Sequence, residues 1–288
     1  MLKQVAIVGL GKMGKNMKLR LEEKGWRVLG FDKNPALEKL VKGLSRSRVV
    51  WLMVPAGKPL EEVIFGKRGL VKFLEKGDII VDGGNSFFED SIKKAVKLAK
   101  KGINFLDAGV SGGPEGARKG ACLMIGGKKG VFEKLKPLFK DLAQKDGFQY
   151  VGKAGAGHFV KMVHNGIEYG MMQAIAEGFN LMKNSPFNLD LKKIAALYNE
   201  GSVIESRLIG WLEKAFEKHG QDLLQVSGKV GATGEGEWTV KTAKKLKIAV
   251  KIIEESVGFR VLSQKKPNYT GKILSALREQ FGGHKAEK

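Results

Sequence analysis

The chain has 288 residues, 43% of them hydrophobic, which is enough apolar material for one large or two ordinary domains with buried cores. Basic residues outnumber acidic ones by 51 to 30 and give a net charge of +21, which favours anionic partners such as nucleic acid, acidic lipid or a phosphorylated metabolite. A single cysteine and four scattered histidines exclude an internal disulfide and a cysteine-histidine metal cluster, so we expect no metal.

The N-terminus shows no targeting pattern. Met1-Leu-Lys-Gln leads straight into a strand-like run, and the chain has no stretch of about 18 consecutive apolar residues. The sequence therefore predicts a soluble, cytoplasmic protein that does not enter a membrane.

The first half of the chain alternates strand-like and helix-like segments. An apolar run at 4–9 is followed by a helix and by a second apolar run that ends on Asp32; the glycine-rich turn between run and helix is Gly9-Leu10-Gly11-Lys12-Met13-Gly14. Such glycines let a pyrophosphate approach the backbone at a helix N-terminus. In this context the motif predicts a dinucleotide site.

Asp32 bears on which dinucleotide is bound. A carboxylate at this position accepts hydrogen bonds from the ribose 2′-hydroxyl and repels a 2′-phosphate, which favours NAD. Lys33 beside it could offset that charge and bind a phosphate, so NADP is the other option. Asp32 could also simply cap the turn that it begins.

Three further strand-like runs each open into a loop of small or polar residues; they span 49–54, 78–82 and 103–110. Ligands of open α/β sheets bind at the carboxyl ends of the strands, where such loops begin. The loop Ser111-Gly112-Gly113 exposes amides and a hydroxyl that can hold a carboxylate. Asn85 and Ser86 lie in the loop after the run at 78–82, and either one could cap the helix expected at 87–100.

The pattern changes near Gly157 from strands and helices to helices only. We predict an α/β fold in two domains: an N-terminal Rossmann-like, doubly wound sheet at 1–157 and an all-α domain at 158–288 for substrate and dimerisation. Other helices are expected at 60–74, 131–142, 190–199, 203–218, 238–263 with a break near 247, and 271–281, and a glycine-rich loop is expected at 225–237.

A long helix beginning near His158 would carry four different polar groups on one face. Lys161, His164, Asn165 and Glu168 stand at i, i+3, i+4 and i+7, within an arc of about 100°. A satisfied network between helices would also explain such a stripe. A base, an imidazole, an amide and an acid together favour catalysis.

The stretch from Gly155 to Gly170, Gly-Ala-Gly-His-Phe-Val-Lys-Met-Val-His-Asn-Gly-Ile-Glu-Tyr-Gly, resembles the catalytic helix of decarboxylating 6-phosphogluconate dehydrogenases. The resemblance covers nearly the whole chain. Relatives usually carry a further short strand and a helix before the next buried strand, whereas here only residues 36–48 intervene. The first domain is therefore shorter on the adenine side, which we expect to affect cofactor affinity and selectivity. The helical part is also shorter than in the longer members.

The resemblance implies oxidative decarboxylation of 6-phosphogluconate to ribulose 5-phosphate and CO2 with reduction of NAD or NADP, a reaction of the pentose phosphate pathway. Lys161 would be the base and Glu168 the proton donor, while His164 and Asn165 would orient the substrate. By the same resemblance, the residues near the nicotinamide are Val54, Pro55 and Ala56, with Asn85 touching both cofactor and substrate. The substrate carboxylate would lie at Ser111, Gly112 and Gly113.

The resemblance places the phosphate near Tyr169, Arg260, Arg278 and His284, the last two on a C-terminal tail that reaches the neighbouring subunit. Both arginines could instead be solvated surface groups. Some relatives carry a basic phosphate contact where this chain has Glu237, so that role is not carried over. Apolar helix faces left over in the second half indicate at least a homodimer.

Two other functions fit parts of the sequence. A β-hydroxyacid dehydrogenase that does not decarboxylate would act on a small 3-hydroxy acid and needs neither Glu168 nor the Arg278 and His284 tail. A non-catalytic protein that binds nucleic acid would suit the charge, but it leaves Lys161 and Glu168 unexplained, and no basic stripe with interleaved aromatics occurs.

Overall fold

A computed structural model describes residues 3–32 and 37–286 and divides the chain into two compact units, 1–162 and 163–288. Among the described residues, none of the helices has the length and apolarity that a membrane crossing requires.

Unit 1 is a seven-stranded sheet with helices on both faces. The strand order is β2-β1-β3-β4-β5-β6-β7, and every neighbouring pair is parallel except β5 and β6. The strands are β1 (Gln4–Val8), β2 (Arg27–Phe31), β3 (Val49–Leu52), β4 (Ile79–Asp82), β5 (Asn104–Ser111), β6 (Ala121–Gly127) and β7 (Ala143–Gly152). The helices are α1 (Lys12–Glu23), α2 (Leu37–Lys42), α3 (Lys58–Phe65), α4 (Phe88–Ala99), α5 (Gly113–Lys119) and α6 (Lys129–Leu142).

The apolar runs of the strands are buried on both faces of this sheet. In β1, Val5 and Ile7 join a core that includes Met17 of α1, whereas Val8 joins a core on the other face that includes Leu40 of α2. Successive residues of a strand point to opposite faces, so a parallel strand covered on both sides must be apolar throughout. Full burial of each such side chain contributes about 1.5–3 kcal/mol relative to exposure.

Unit 2 is all helical in its described residues. The long helix α7 (Ala156–Lys183) begins in unit 1 and continues into unit 2. The helices that follow are α8 (Leu191–Tyr198), α9 (Arg207–His219), α10 (Glu235–Lys245), α11 (Lys251–Ser263) and α12 (Tyr269–Gly282). Their core includes Phe179 of α7, Leu212 of α9 and Leu277 of α12.

The contacts place the boundary between the units after Met162, whereas the predicted boundary at 157 lies inside the first turn of α7. The start of α7 belongs with the sheet because it packs closely on it. A Cβ on Gly157 would lie 2.5 Å from the carbonyl oxygens of Asp107 and Met124.

Several predicted elements are wrong at their ends. The helix expected at 60–74 ends at Phe65, and a 3-10 turn follows at Leu70–Lys72, because Gly66 and Gly69 turn the chain back against α3. The helix expected from 203 begins at Arg207, where the Ser206 side chain accepts a hydrogen bond from the Ile209 N–H.

The glycine-rich loop expected at 225–237 is shorter than expected, because α10 begins at Glu235 after Gly234, which has the left-handed conformation. The helix α5, which begins at Gly113, was not predicted. The predicted break near Lys247 is confirmed, since α10 ends at Lys245 and α11 begins at Lys251.

Candidate active site

The glycine-rich turn after β1 has the geometry of a cradle. Gly9 has φ +95°, and a Cβ there would lie 2.4 Å from the Met53 carbonyl oxygen; a Cβ on Gly14 would lie 1.9 Å from the Gly9 carbonyl oxygen. A Cβ on Gly11 would meet nothing within 4 Å, and Gly11, the N-cap residue of α1, has no side chain to cap the helix. The N-terminus of α1 therefore suits an anionic group.

Asp32 lies where β2 ends, beside this turn. Its side chain is exposed, and its Oδ1 lies 3.4 Å from the backbone nitrogen of Leu10. Lys33 falls outside the described residues, so its predicted contact with a phosphate stays a prediction. The turn and Asp32 together fit a dinucleotide, with the pyrophosphate at α1 and the ribose at the carboxylate.

The loops after β3 and β4 touch each other at the same sheet edge. A Cβ on Gly84 would lie 2.7 Å from the carbonyl oxygen of Val54, the first of the predicted nicotinamide contacts before Pro55 and Ala56. The β4 loop is held by the fully buried Asp82, whose carboxylate accepts hydrogen bonds from the Gly84 N–H (3.1 Å) and the Ser86 O–H (2.9 Å).

Asn85 is exposed at the tip of this loop. The alternative that Asn85 or Ser86 caps the next helix is wrong, because α4 begins at Phe88 with Phe87 in the N-cap position. Asn85 therefore lies exposed at the carboxyl edge of the sheet.

The predicted carboxylate loop follows β5. Ser111 is the last residue of that strand, and Gly112 (φ +118°) and Gly113 (φ +62°) turn the chain into α5. L side chains rarely adopt such φ values, which explains the two glycines. The backbone amides at the start of α5 come soon after Ser111 in the chain. With the Ser111 hydroxyl they provide the hydrogen-bond donors that a carboxylate site needs.

The first turns of α7, in unit 1, carry Lys161. Its side chain is buried, with 9% exposure, and its Cβ lies 2.5 Å from where a Cβ on Gly109 would be. Glycine at 109 therefore allows the helix to approach β5 closely.

The remaining members of the polar stripe lie in unit 2 and interact with one another. His164 Nδ1 is 3.1 Å from Asn165 Oδ1 and 3.7 Å from Glu168 Oε2. Asn165 is 9% exposed, and the Glu168 side chain is 23% exposed. These contacts orient an imidazole, an amide and a carboxylate on one face of α7.

Tyr169 and Arg260 form the centre of the candidate phosphate site. The Arg260 guanidinium lies 3.4 Å from the centre of the Tyr169 ring, and its Nη1 donates a hydrogen bond to the Gly231 carbonyl oxygen at 3.1 Å. A Cβ on Gly231 would lie 2.7 Å from Nη1 of Arg278. Unit 2 thus brings together three of the four predicted phosphate residues, and Arg260, only 3% exposed, is no solvated surface group.

Burial sets the electrostatics of this cluster. Desolvation lowers the pKa of Arg260 to about 10, although Tyr169, Glu168 and Glu235 favour its charged form. Burial also lowers the pKa of Arg278. Two desolvated guanidinium groups side by side repel each other, and an anion between them would relieve that repulsion.

A pocket of about 230 Å³ lies against these groups and is lined by Tyr169, Val230, Gly231, Ala232, Gly234, Glu237, Val257, Arg260, Val261 and Gln264. Glu237 brings a negative charge to its rim, as expected from its place in the sequence. The positive charge that attracts an anion therefore comes from Arg260 and Arg278.

His284, the predicted phosphate contact on the C-terminal tail, follows α12, and its ring packs against Gly282. The tail beyond it folds onto its own chain: the Ser227 N–H donates to the Ala286 carbonyl oxygen at 2.7 Å, and Ala286 is 1% exposed. A contact of His284 with phosphate, and the reach of the tail into a neighbouring subunit, stay predictions.

The sequence reading missed two buried carboxylates, Asp82 and Asp107, which pair in register on β4 and β5. The available signal was a charged residue inside an otherwise apolar strand run. Among the described residues, no group of three or more His, Cys, Asp or Glu side chains could hold a metal ion.

Comparison with known proteins identifies the family. The model for the NAD binding domain of 6-phosphogluconate dehydrogenase matches residues 4–152, and that for the C-terminal domain of the same enzyme matches residues 157–287. The chain belongs to the 6-phosphogluconate dehydrogenase family. It is therefore an oxidoreductase whose first unit binds NAD or NADP, and the predicted family, fold and cofactor class are confirmed.

Family members of the same length exist in bacteria and archaea. YqeC of Bacillus subtilis, whose own assignment as a 6-phosphogluconate dehydrogenase is provisional, is 42% identical over 99% of both chains. The NAD(+)-dependent, decarboxylating 6-phosphogluconate dehydrogenase of Haloferax volcanii is 36% identical over 99% of both chains. The chain is thus similar over its whole length to members as short as itself.

The fold is also similar to that of a longer member. The Plasmodium falciparum 6-phosphogluconate dehydrogenase, solved with NADP+ and with 6-phosphogluconate, superposes with a TM-score of 0.76 at 30% identity. That likeness covers 91% of this chain and 62% of the longer one.

Proposed function

We propose that this protein oxidises 6-phosphogluconate at C3 and decarboxylates it to ribulose 5-phosphate and CO2, with NAD as the preferred electron acceptor. One observation carries the proposal: α7 presents the buried Lys161, the His164 and Glu168 pair, and Tyr169 with Arg260 stacked on it, in that order along one helix. A base, a proton donor and an anion-binding group follow one another as this reaction requires.

Lys161 acts first as a general base. The nicotinamide of a dinucleotide held at the turn after β1 would supply the acceptor for the hydride of C3. Lys161 takes the proton of the C3 hydroxyl in the same step, which leaves a 3-keto acid. A base must be neutral, and burial of an amine disfavours its charged form, so the 9% exposure of Lys161 supports this role.

Decarboxylation then breaks the bond between C1 and C2. The electron pair moves toward the C3 oxygen, where the ammonium of Lys161, protonated in the first step, stabilises the enolate. Glu168 delivers a proton to C2, which gives ribulose 5-phosphate. The side chains of His164 and Asn165 contact each other, which holds them in place. They orient the C3 oxygen and the carboxylate.

The two ends of the substrate would be held by different loops and helices. Ser111 and the amides of Gly112 and Gly113 offer donors to the C1 carboxylate, with Asn85 as a further contact to cofactor and substrate. Tyr169, Arg260 and Arg278 offer the phosphate a positive surface, and His284 would complete it. Asp32 favours NAD because its carboxylate repels a 2′-phosphate.

We also propose that the active form is at least a homodimer. Large apolar side chains stand exposed on unit 2, among them Leu181 (76%), Phe187 (75%) and Ile252 (72%). A second copy covering such side chains would remove apolar surface from water. Light scattering behind a sizing column tests this, and a monomer of 31.5 kDa would contradict it.

The reaction is tested by following reduction of NAD and of NADP with 6-phosphogluconate while released CO2 is trapped. Equal amounts of reduced cofactor and CO2, with NAD used faster, are expected. Reduction without CO2, or activity only with a small unphosphorylated 3-hydroxy acid, would favour a non-decarboxylating β-hydroxyacid dehydrogenase. Faster reduction of NADP would overturn the role given to Asp32.

A further inference from the structure

We propose that Asp107 is a positioning residue for catalysis: its buried carboxylate fixes the start of α7 on the sheet and thereby sets the place of Lys161. The inference rests on the proposed role of Lys161 as the base.

The carboxylate binds the backbone at the N-terminus of α7. Asp107 is fully buried on β5; its Oδ1 accepts a hydrogen bond from the Gly155 N–H at 2.7 Å, and its Oδ2 accepts one from the His158 N–H at 2.9 Å. The first amides of a helix have no partner within the helix, and a negative charge there also interacts favourably with the helix dipole. Both carboxylate oxygens therefore accept hydrogen bonds from backbone N–H groups.

Gly109 supports the next turn of the helix on the same strand face. Residues two apart on a strand point to the same face, and a Cβ on Gly109 would lie 2.5 Å from the Lys161 Cβ and 2.9 Å from the Gly157 carbonyl oxygen. Asp107 thus lies under His158, and Gly109 lies under Lys161. These two contacts lie one helical turn apart. Together they fix the distance of Lys161 from the sheet and its rotation about the axis of α7.

A third contact comes from α4. His158 is 1% exposed, and its Nδ1 lies 2.7 Å from the hydroxyl oxygen of Ser91, which is fully buried. His158 Nε2 has no hydrogen-bond partner among the described residues. The ring is therefore held by one hydrogen bond and by packing, which adds a side-chain contact to the backbone contacts of Asp107.

The chain provides a matched comparison in Asp78. That carboxylate is 2% exposed and accepts hydrogen bonds from two backbone amides, those of Arg48 and Glu75, each at 2.8 Å. It precedes β4, at the sheet edge opposite the candidate site. Asp78 and Asp107 are alike in burial and in accepting two backbone N–H groups, but Asp78 also pairs with the Arg48 side chain (Nη1–Oδ2 3.0 Å) and does not hold α7.

The test compares Asp107→Asn with Asp78→Asn in the full-length enzyme, below the unfolding temperature of both. Each substitution replaces one acceptor oxygen by an NH2 group that faces an N–H. We expect Asp107→Asn to lower kcat with 6-phosphogluconate about 100-fold, as a small misplacement of a reacting group does, with the KM for NAD unchanged. Asp78→Asn should keep kcat while losing comparable thermal stability.

Hydrogen exchange gives a readout that does not depend on activity. The amides at 155–161 should exchange faster in Asp107→Asn and keep their wild-type rate in Asp78→Asn. Equal kcat values in the two variants, or a loss that appears only as lower thermal stability, would overturn the positioning role while wild-type activity stands. A wild type inactive with 6-phosphogluconate would instead overturn the proposed function, whatever the exchange rates are.

A glycine pair tests the same contact should Asp107→Asn not fold. Gly109→Ala pushes a methyl group against Lys161 and is expected to lower kcat, whereas Gly130→Ala, where a Cβ meets nothing within 4 Å, should not. Wild-type kcat in Gly109→Ala would show that the place of Lys161 does not depend on β5, and would refute the inference.

Discussion

The Arg260 guanidinium stacks 3.4 Å above the ring of Tyr169, which directly follows Glu168 on α7. The anion site and the candidate proton donor are therefore adjacent residues of one helix. A phosphate held at Arg260 would fix the far end of a sugar acid, so its binding also sets which carbon lies near Glu168.

Replacement of Arg260 by lysine should weaken phosphate binding. Lysine keeps the charge but loses both the planar fork and the stacking on Tyr169. We expect kcat/KM for 6-phosphogluconate to fall about 10- to 100-fold, mainly through KM, because hydrogen bonds to charged groups contribute about 1.5–3 kcal/mol. Steady-state kinetics measure this. Arg207→Lys is the control, since Arg207 stacks on Trp211 at 4.8 Å on α9, and there KM should not change.

Replacement of Lys161 by methionine should abolish the reaction. Methionine has similar bulk but cannot move a proton, so oxidation and CO2 release should both fall about 10³-fold or more. Binding of NADH, followed by its fluorescence, should remain. Lys183→Met, on the same helix, should be active. Measurable turnover of Lys161→Met with stoichiometric CO2 would remove the lysine from the mechanism.

Replacement of Glu168 by glutamine should slow the later proton transfer more than the oxidation. A pre-steady-state burst of reduced cofactor followed by turnover about 100-fold slower than wild type is expected. Rapid-mixing absorbance at the cofactor band measures both phases. Glu177→Gln on the same helix is the control, since it removes the charge of the carboxylate that accepts from Gln173 but keeps an acceptor oxygen. Full-rate turnover of Glu168→Gln would contradict its role as proton donor.

The local patterns predict the sheet and the cofactor turn well because each is encoded within a few residues. Gly9 and Gly14 are required by contacts so close that only glycine fits, and the strands are recognisable from apolar runs buried on both faces. The end of α3 was harder to predict from the sequence, since Gly66 and Gly69 turn the chain only through their packing against that helix.

The candidate site depends on contacts between residues far apart in sequence, which local patterns do not specify. Tyr169, Arg260 and Arg278 could be named as candidates through a resemblance, but their position near Gly231 follows from the packing of three helices. Asp107 reads as one charged residue in an apolar strand. Its two backbone partners lie 48 and 51 residues further along the chain.

Replacement of Asp32 by serine should change cofactor preference. Serine removes the negative charge that repels a 2′-phosphate, and it loses the acceptor that favours NAD. The ratio of kcat/KM with NADP to kcat/KM with NAD should rise at least about tenfold, which corresponds to about 1.4 kcal/mol. Parallel assays with the two cofactors measure the ratio. Asp90→Ser on α4, where the half-buried Asp90 pairs with Lys93, is the control. An unchanged ratio in Asp32→Ser would assign selectivity to other residues.

Glu279 on α12 should stabilise the fold in a pH-dependent way. Burial alone would raise its pKa, but hydrogen bonds from His219 (2.6 Å) and Lys218 (3.0 Å) outweigh that effect and lower the pKa below its ordinary value of 4.5. Between the folded pKa and 4.5 the unfolded chain binds more protons than the folded one. The contribution of Glu279 is therefore complete above about pH 4.5 and is lost as the pH falls through the folded pKa.

We expect Glu279→Gln to lower the free energy of unfolding by about 1–2 kcal/mol at pH 7, and the difference from wild type to shrink below pH 4.5. Urea unfolding of both proteins at pH 7, 5.5, 4 and 3 measures the difference. Glu217→Gln serves as the control because Glu217 pairs with Lys192 at 3.4 Å in an exposed ion pair, which should contribute almost nothing. An equal loss for Glu279→Gln at pH 7 and pH 3 would mean that packing, and not the ionised carboxylate, carries the stabilisation.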